Sequence, residues 1–210
     1  AATVGISANG TGDILLEARG NNSDVIVNAD VTSGTGHITL NADRDVDIND
    51  VITTGGAGTV YVRSLRNADI DAVITTANGD VLVHADNNIA QTALITTTNG
   101  DIGLIAGQNI NQNANGDITT GTGDVLINAT AGNWTMAGDA AVRANNTEIT
   151  LGGGDLLGIA GGNITLGVIS LTNATTNRVA LHATGSITDA NAAFVNIEET
   201  LAGSTTSVSL

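Results

Sequence analysis

The residues of this chain that could do chemistry are mostly aspartates, and four of them recur at one place in a repeated string. Asp13, Asp80, Asp101 and Asp124 each directly follow a glycine and precede an alternating apolar run. Carboxylates stacked at strand spacing repel one another, and carboxylate oxygens suit hard cations. Asp80, Asp101 and Asp124 are therefore candidate ligands for Ca2+. The simpler reading is that each carboxylate accepts hydrogen bonds from nearby corner amides. The Gly-Gly-x-Gly-x-Asp pattern of calcium-binding nonapeptides does not occur, and no other cofactor is indicated. His37, His84 and His182 are read as falling at different phases of the repeat, with no Ser-His-Asp or His-x-x-x-His spacing among them. Arg63 and Arg66 with Asp69 and Asp71 come nearest to a cluster of mixed charge, although arginines there also simply balance acidic neighbours. On these residues the chain reads as a non-enzyme.

The elements that carry these residues follow from the repeat itself. The string Gly12-Asp13-Ile14-Leu15-Leu16-Glu17-Ala18 returns in copies that open at Gly36, Gly58, Gly79, Gly100 and Gly123, with 21 to 24 residues between openings. A looser copy is read at Thr147-Glu148-Ile149-Thr150-Leu151, and a last one at Asn177-Arg178-Val179-Ala180-Leu181-His182-Ala183. In each regular copy the second and fourth residues after the glycine are apolar, as in Val81 and Val83, and those between are read as mostly polar or variable. That alternation marks a strand with one buried face. A second short strand follows an Asp or Asn at Asp45, Asn67, Asn88, Asn109 and Asn133. A third ends in Ile-Thr-Thr at Ile52, Ile74, Ile95 and Ile118. Three strands and three corners in about 22 residues describe one coil of an all-β, right-handed parallel β-helix (a β-solenoid) of roughly eight coils.

Such a coil stacks like residues into columns. Asn67, Asn88 and Asn109 are expected to form a ladder of amide hydrogen bonds, and Thr53, Thr75 and Thr96 a ladder of β-branched side chains. Gln91 and Gln112 fall where neighbouring coils carry Ile48 and Ile70, and are expected to satisfy one another inside. Glycines of the Asn78-Gly79 and Asn99-Gly100 corners are expected to supply positive φ. The whole of 1–210 reads as one domain: regular coils over 9–130, less regular coils over 131–200 with room for a protruding loop, and a terminal strand over 201–210.

Composition narrows the partners. With 21 acidic and six basic residues the net charge is −15, which disfavours nucleic acid and anionic membranes. No apolar run is long enough for a membrane span, and the absence of cysteine fits a secreted bacterial protein. Aromatics are 1% of residues, so burial relies on Val, Ile, Leu and Ala in a thin, regular core. The first residues lack a signal-peptide pattern, so the chain is expected to be a mature form or a fragment.

The coil running from Gly79-Asp80-Val81-Leu82-Val83-His84-Ala85 through Asn88-Ile89-Ala90-Gln91 to Ile95-Thr96-Thr97 resembles the repeats of filamentous haemagglutinin-like exoproteins and giant β-strand-repeat bacterial adhesins. The resemblance covers 9–130 well and implies an elongated secreted or cell-surface protein of adhesion, biofilm or envelope architecture. Two functions lead. One is a structural segment of a stalk, filament or adhesin, joined end to end with itself or to a longer parent chain. The other is a binding module that presents a loop from 131–200 to a glycan or surface receptor. An ice-binding threonine array and a polysaccharide lyase rank below both: Thr-Thr pairs are not Thr-x-Thr, and a lyase cleft lacks its aromatic platforms here.

Overall fold

The structure, a computed structural model, describes residues 4–144, 155–171 and 179–190. All regular structure in the described residues is strand, arranged as three parallel sheets of eight. The chain visits the sheets in turn, so every third strand rejoins the same sheet one rung further along. This is a parallel β-solenoid.

The long-strand sheet begins with Ile14–Ala18 and Ile38–Ala42, continues through Val60–Ser64, Val81–Ala85, Ile102–Ala106 and Val125–Ala129, and ends with Leu156–Ala160 and Val179–Ala183. In its central strands the first, third and fifth residues are buried and the second and fourth face outward. The asparagine-led sheet runs from Val25–Val27 through Ile89–Gln91 and Ile110–Gln112 to Ile187–Asp189. The threonine sheet runs from Val4–Ala8 through Ile52–Thr54, Ile74–Thr76, Ile95–Thr97 and Ile118–Thr120 to Val168–Leu171.

Register is strict because a slip of one residue would turn each apolar column outward. Ile38 pairs with Val60, Val60 with Val81, Val81 with Ile102 and Ile102 with Val125. Inside, Ile48 and Ile70 share a column with Gln91 and Gln112, Ile89 and Ile110 fill the column beside it, and Ile52, Ile74, Ile95 and Ile118 fill a third, all these isoleucines with no exposure. Each such side chain contributes roughly 1.5–3 kcal/mol through burial, so many equal small terms replace the few large aromatics of an ordinary core.

The copy expected at Thr147–Leu151 lies outside the described residues, and another segment takes its place in the sheet. Leu156–Ala160 pairs with Val125–Ala129, an interval of 31 residues. Its string, Gly154-Asp155-Leu156-Leu157-Gly158-Ile159-Ala160, carries the glycine, the aspartate and the terminal alanine of the regular copies. Within 131–200 the described residues continue all three sheets, with Trp134–Met136, Ala141–Ala144, Ile164–Leu166 and Val179–Ala183 each pairing in parallel. The terminal strand expected over 201–210 also lies outside the described residues.

The corner glycines do not serve the purpose expected of them. Among the described residues left-handed φ occurs at Gly10, Gly20 and Gly56, not at Gly79 or Gly100. Gly36, Gly58, Gly79, Gly100 and Gly123 instead stack on one another with backbone against backbone. A Cβ at Gly100 would lie 2.2 Å from the carbonyl oxygen of Gly79, and one at Gly123 would lie 1.9 Å from that of Gly100. The buried hydroxyl opposite fastens this corner. Thr97 Oγ1 accepts the Gly100 amide at 2.9 Å, and Thr120 Oγ1 accepts the Gly123 amide and donates to Gly100 O, both at 3.0 Å. Ser33 does the same at Gly36 and Gly12.

Candidate functional site

The aspartate column lies on the corner that opens the long-strand sheet. Asp13, His37, Thr59, Asp80, Asp101, Asp124 and Asp155 immediately precede paired strands. The carboxylates act along the column as acceptors. Asp101 N donates to Asp80 Oδ1 at 2.9 Å, Asp124 N to Asp101 Oδ1 at 2.8 Å, and Asp155 N to Asp124 Oδ1 at 2.9 Å. His37 N donates to Asp13 Oδ1 at 2.7 Å. One oxygen of each of Asp13, Asp80, Asp101 and Asp124 thus satisfies a corner amide. Among the described residues no group of three or more His, Asp or Glu side chains is arranged to hold a metal ion.

The asparagine column works in the same way at the next corner. Asn88 N and Nδ2 both donate to Asn67 Oδ1, at 3.3 and 3.2 Å, and Asn109 N and Nδ2 to Asn88 Oδ1, at 3.1 and 3.0 Å. The series extends on to Asn133, Asn163 and Ser186, whose amides are accepted by the Oδ1 one rung before. Thr53, Thr75 and Thr96 stack in register on the outward, half-buried face. The hydroxyls that fasten the glycine corner belong to their inward neighbours Thr54, Thr76 and Thr97. Inside the solenoid Gln112 Nε2 donates to Gln91 Oε1 at 3.0 Å, and Trp134 Nε1 donates to Gln112 Oε1 at 2.7 Å.

The mixed-charge group read from Arg63, Arg66, Asp69 and Asp71 does not come together. Arg63 pairs with Asp86 at 2.9 Å, and Arg66 forks onto Asp45. Asp69 stacks on Asp47, and Asp71 accepts the Thr92 hydroxyl at 2.6 Å. The histidines also differ from expectation. His84 and His182 share one column of the long-strand sheet, separated by Ile105, Asn128 and Ile159, too far apart to act as a pair.

The feature not foreseen is the outward column of the long-strand sheet. Its rungs carry Leu15, Thr39, Tyr61, Leu82, Gly103, Leu126 and Leu157, so the positions read as polar or variable are largely apolar. Leu157 is 41% exposed and Leu15 62%. Gly103 leaves a gap in the column, and a depression of about 430 Å³ forms there between Leu82, Leu126 and Leu157, with Asp101 and Asp124 along its rim. The signal was present in the second residue after each Gly-Asp pair, once that position is assigned to a solvent-facing column.

Opposed carboxylate shifts give this acidic surface a characteristic pH response. Hydrogen bonds from Arg44 hold Asp24 down to about 2, and those from Arg66 lower Asp45. Burial, and then neighbouring carboxylates, raise Asp47 and Asp69, while a hydrogen bond with Asp50 raises Asp30. A raised carboxylate is an unfavourable charge above its folded pKa and is relieved on protonation. A lowered one contributes stability that is lost as pH falls through its folded pKa. The melting temperature is therefore expected to rise as pH is brought from neutral towards about 4, the ordinary carboxylate range, and to fall as pH nears 2, where Asp24 protonates. Melts across that range check this, with Asp47→Asn/Asp69→Asn expected to flatten the upper limb. A steady fall from neutral pH downward would contradict it.

The fold and its ladders define the class of this protein, a parallel β-solenoid with aspartate, asparagine and glycine corners. No family model, curated protein or solved structure matches the chain.

Proposed function

We propose that this chain is a structural segment of an extracellular or cell-surface stalk, filament or adhesin, and that its rungs serve as a shaft. The observation that carries this reading is the continuity of three eight-stranded parallel sheets. Among the described residues many corner polar groups bond the neighbouring rung. Corner carboxylates accept amides, asparagines bond asparagines, and arginines fork onto aspartates. A molecule that commits its polar side chains to its own axis has a surface suited to spacing and bearing load. Its net charge of −15 keeps such strand-rich material from side-by-side aggregation.

Electron microscopy of the full chain tests the proposal. Eight rungs at about 4.8 Å span roughly 35–40 Å. Fibres whose axial repeat is that length or a simple multiple are the expected result for end-to-end joining. Isolated short rods at all concentrations would overturn end-to-end joining.

A second reading, an adhesive module presenting part of 131–200 to a glycan or receptor, is favoured by one observation. The 31-residue interval between Val125 and Leu156 exceeds the 21 to 24 of the regular rungs, although the register is kept. Removal of 145–154 with adhesion intact would count against it.

A further inference from the structure

We propose that the outward face of the long-strand sheet around Gly103 is a docking surface for a basic amphipathic helix of another protein. This goes beyond a purely structural shaft and does not depend on whether the ends join.

The three outward faces differ in chemistry. The threonine sheet presents Thr32, Thr53, Thr75, Thr96, Thr119 and Arg143, all polar. The asparagine-led sheet presents one exposed isoleucine, Ile26, at its first rung and then Asp47, Asp69, Ala90, Asn111, Thr135 and Thr165. Only the long-strand sheet places Leu82, Leu126 and Leu157 in one outward column, with Ile105 and Ile159 in the column beside it. Gly103 notches this shelf, and a Cβ there would meet only the flexible end of Leu82, at 2.9 Å. Leu82 thus leans over the notch, and the space open to a partner's apolar side chain is the depression between Leu82, Leu126 and Leu157.

The rim supplies the charge. Each of Asp80, Asp101 and Asp124 uses Oδ1 for the amide of the next rung. The arginines of the described residues pair elsewhere: Arg19 with Glu17, Arg44 with Asp24, Arg63 with Asp86, Arg66 with Asp45 and Arg143 with Asp117. The rim therefore keeps its negative charge beside an apolar shelf, a combination complementary to leucines flanked by lysines or arginines.

The backbone decides the partner's conformation. Every strand in the middle of this sheet is paired on both sides, so the face offers side chains and no free amides or carbonyls. A partner lying there must satisfy its own backbone, as a helix does. The four rungs from Leu82 to Leu157 span about 14 Å, which about ten helical residues match.

The chain does not contain this occupant. Segments 145–154 and 191–210 hold no Lys or Arg, 172–178 is only seven residues with the single Arg178, and a second copy would bring the same acidic rim against this one.

The test is fluorescence anisotropy of a labelled Leu/Lys amphipathic peptide of about 18 residues titrated with the full chain. Saturable binding is expected. It should weaken by about tenfold or more in Asp101→Asn/Asp124→Asn, in which Oδ1 still accepts its amide, and in Leu126→Ser/Leu157→Ser. Asp47→Asn/Asp69→Asn removes equal charge from another face and should leave binding unchanged, and circular dichroism should report native strand content throughout. The proposal is overturned by an absence of saturable binding, by equal weakening from both aspartate pairs, or by equal binding of a scrambled peptide of the same composition.

Discussion

Gly100→Ala is expected to destabilise the solenoid by about 3 kcal/mol, at the upper end of what overpacking costs. The added methyl would lie 2.2 Å from the Gly79 carbonyl oxygen and 2.5 Å from its carbon. Both are backbone atoms, so no rotamer change relieves the contact and the whole rung must lift. Lifting loosens Thr97 Oγ1 from the Gly100 amide and Thr120 Oγ1 from the Gly100 carbonyl. Gly10→Ala is the control. Gly10 has a φ of +71° and nothing within 4 Å of its missing Cβ, so it costs only the left-handed backbone, about 1–2 kcal/mol. Chemical denaturation of the two variants should place Gly100→Ala well below Gly10→Ala. The reverse order would sink the account of stacked corners.

Trp134 and Gly158 are expected to behave as one unit. Trp134 is fully buried in a column whose neighbours are Ile110 and Ile164. Gly158 stands where the paired strand carries Ile127, and a Cβ at Gly158 would meet Trp134 Cζ3 at 2.4 Å. The indole occupies volume that an inward aliphatic side chain fills in other rungs. Trp134→Ile leaves that volume empty and deprives Gln112 Oε1 of its donor, with an expected loss of about 3–4 kcal/mol. Gly158→Val alone drives a methyl into the ring and is expected to cost a similar amount. The double variant restores the ordinary composition of a rung and should recover much of the loss, a coupling of about 2–3 kcal/mol in a double-mutant cycle. Additive losses would show that the two sites do not share one space.

How much of this was legible depended on which physical constraint wrote each residue. The strands were readable because burial on one face imposes an apolar or small residue at every second position, and every inward position of Val81–Ala85 and Ile102–Ala106 meets it, although Leu82 and Ile105 are apolar on the outward side as well. The rung after Val125 was misplaced because constant spacing was given more weight than the string. Leu156–Ala160 keeps the Gly-Asp opening and the terminal alanine, and the extra length before it leaves pairing untouched. Glycine was recognised as a corner residue but for the wrong reason, since a sequence does not distinguish a left-handed φ from backbone in contact with backbone. Of the two threonines in each Ile-Thr-Thr, the inward one proved to be the hydrogen-bonding partner at Gly100 and Gly123. The apolar shelf at Gly103 was hardest to see, because a column exists only once rungs are in register, and Leu82, Gly103 and Leu126 lie far apart along the chain.

The side-chain ladders also have a sense of direction. At each rung an aspartate or asparagine oxygen accepts the amide of the rung that comes later in the chain: Asp80 serves Asp101, Asn88 serves Asn109, and Asn133 serves Asn163. A polypeptide delivered amino end first, from a ribosome or through a secretion pore, presents acceptors already in place to each length of chain that follows. One finished coil is then a template for the next, and folding can advance in step with emergence. Delivered from the other end, each new coil would bring the acceptors itself and have to find amides already fixed. The architecture is thus matched to vectorial synthesis, with a growing tip and a trailing base built into side chains that otherwise look like simple corner turns.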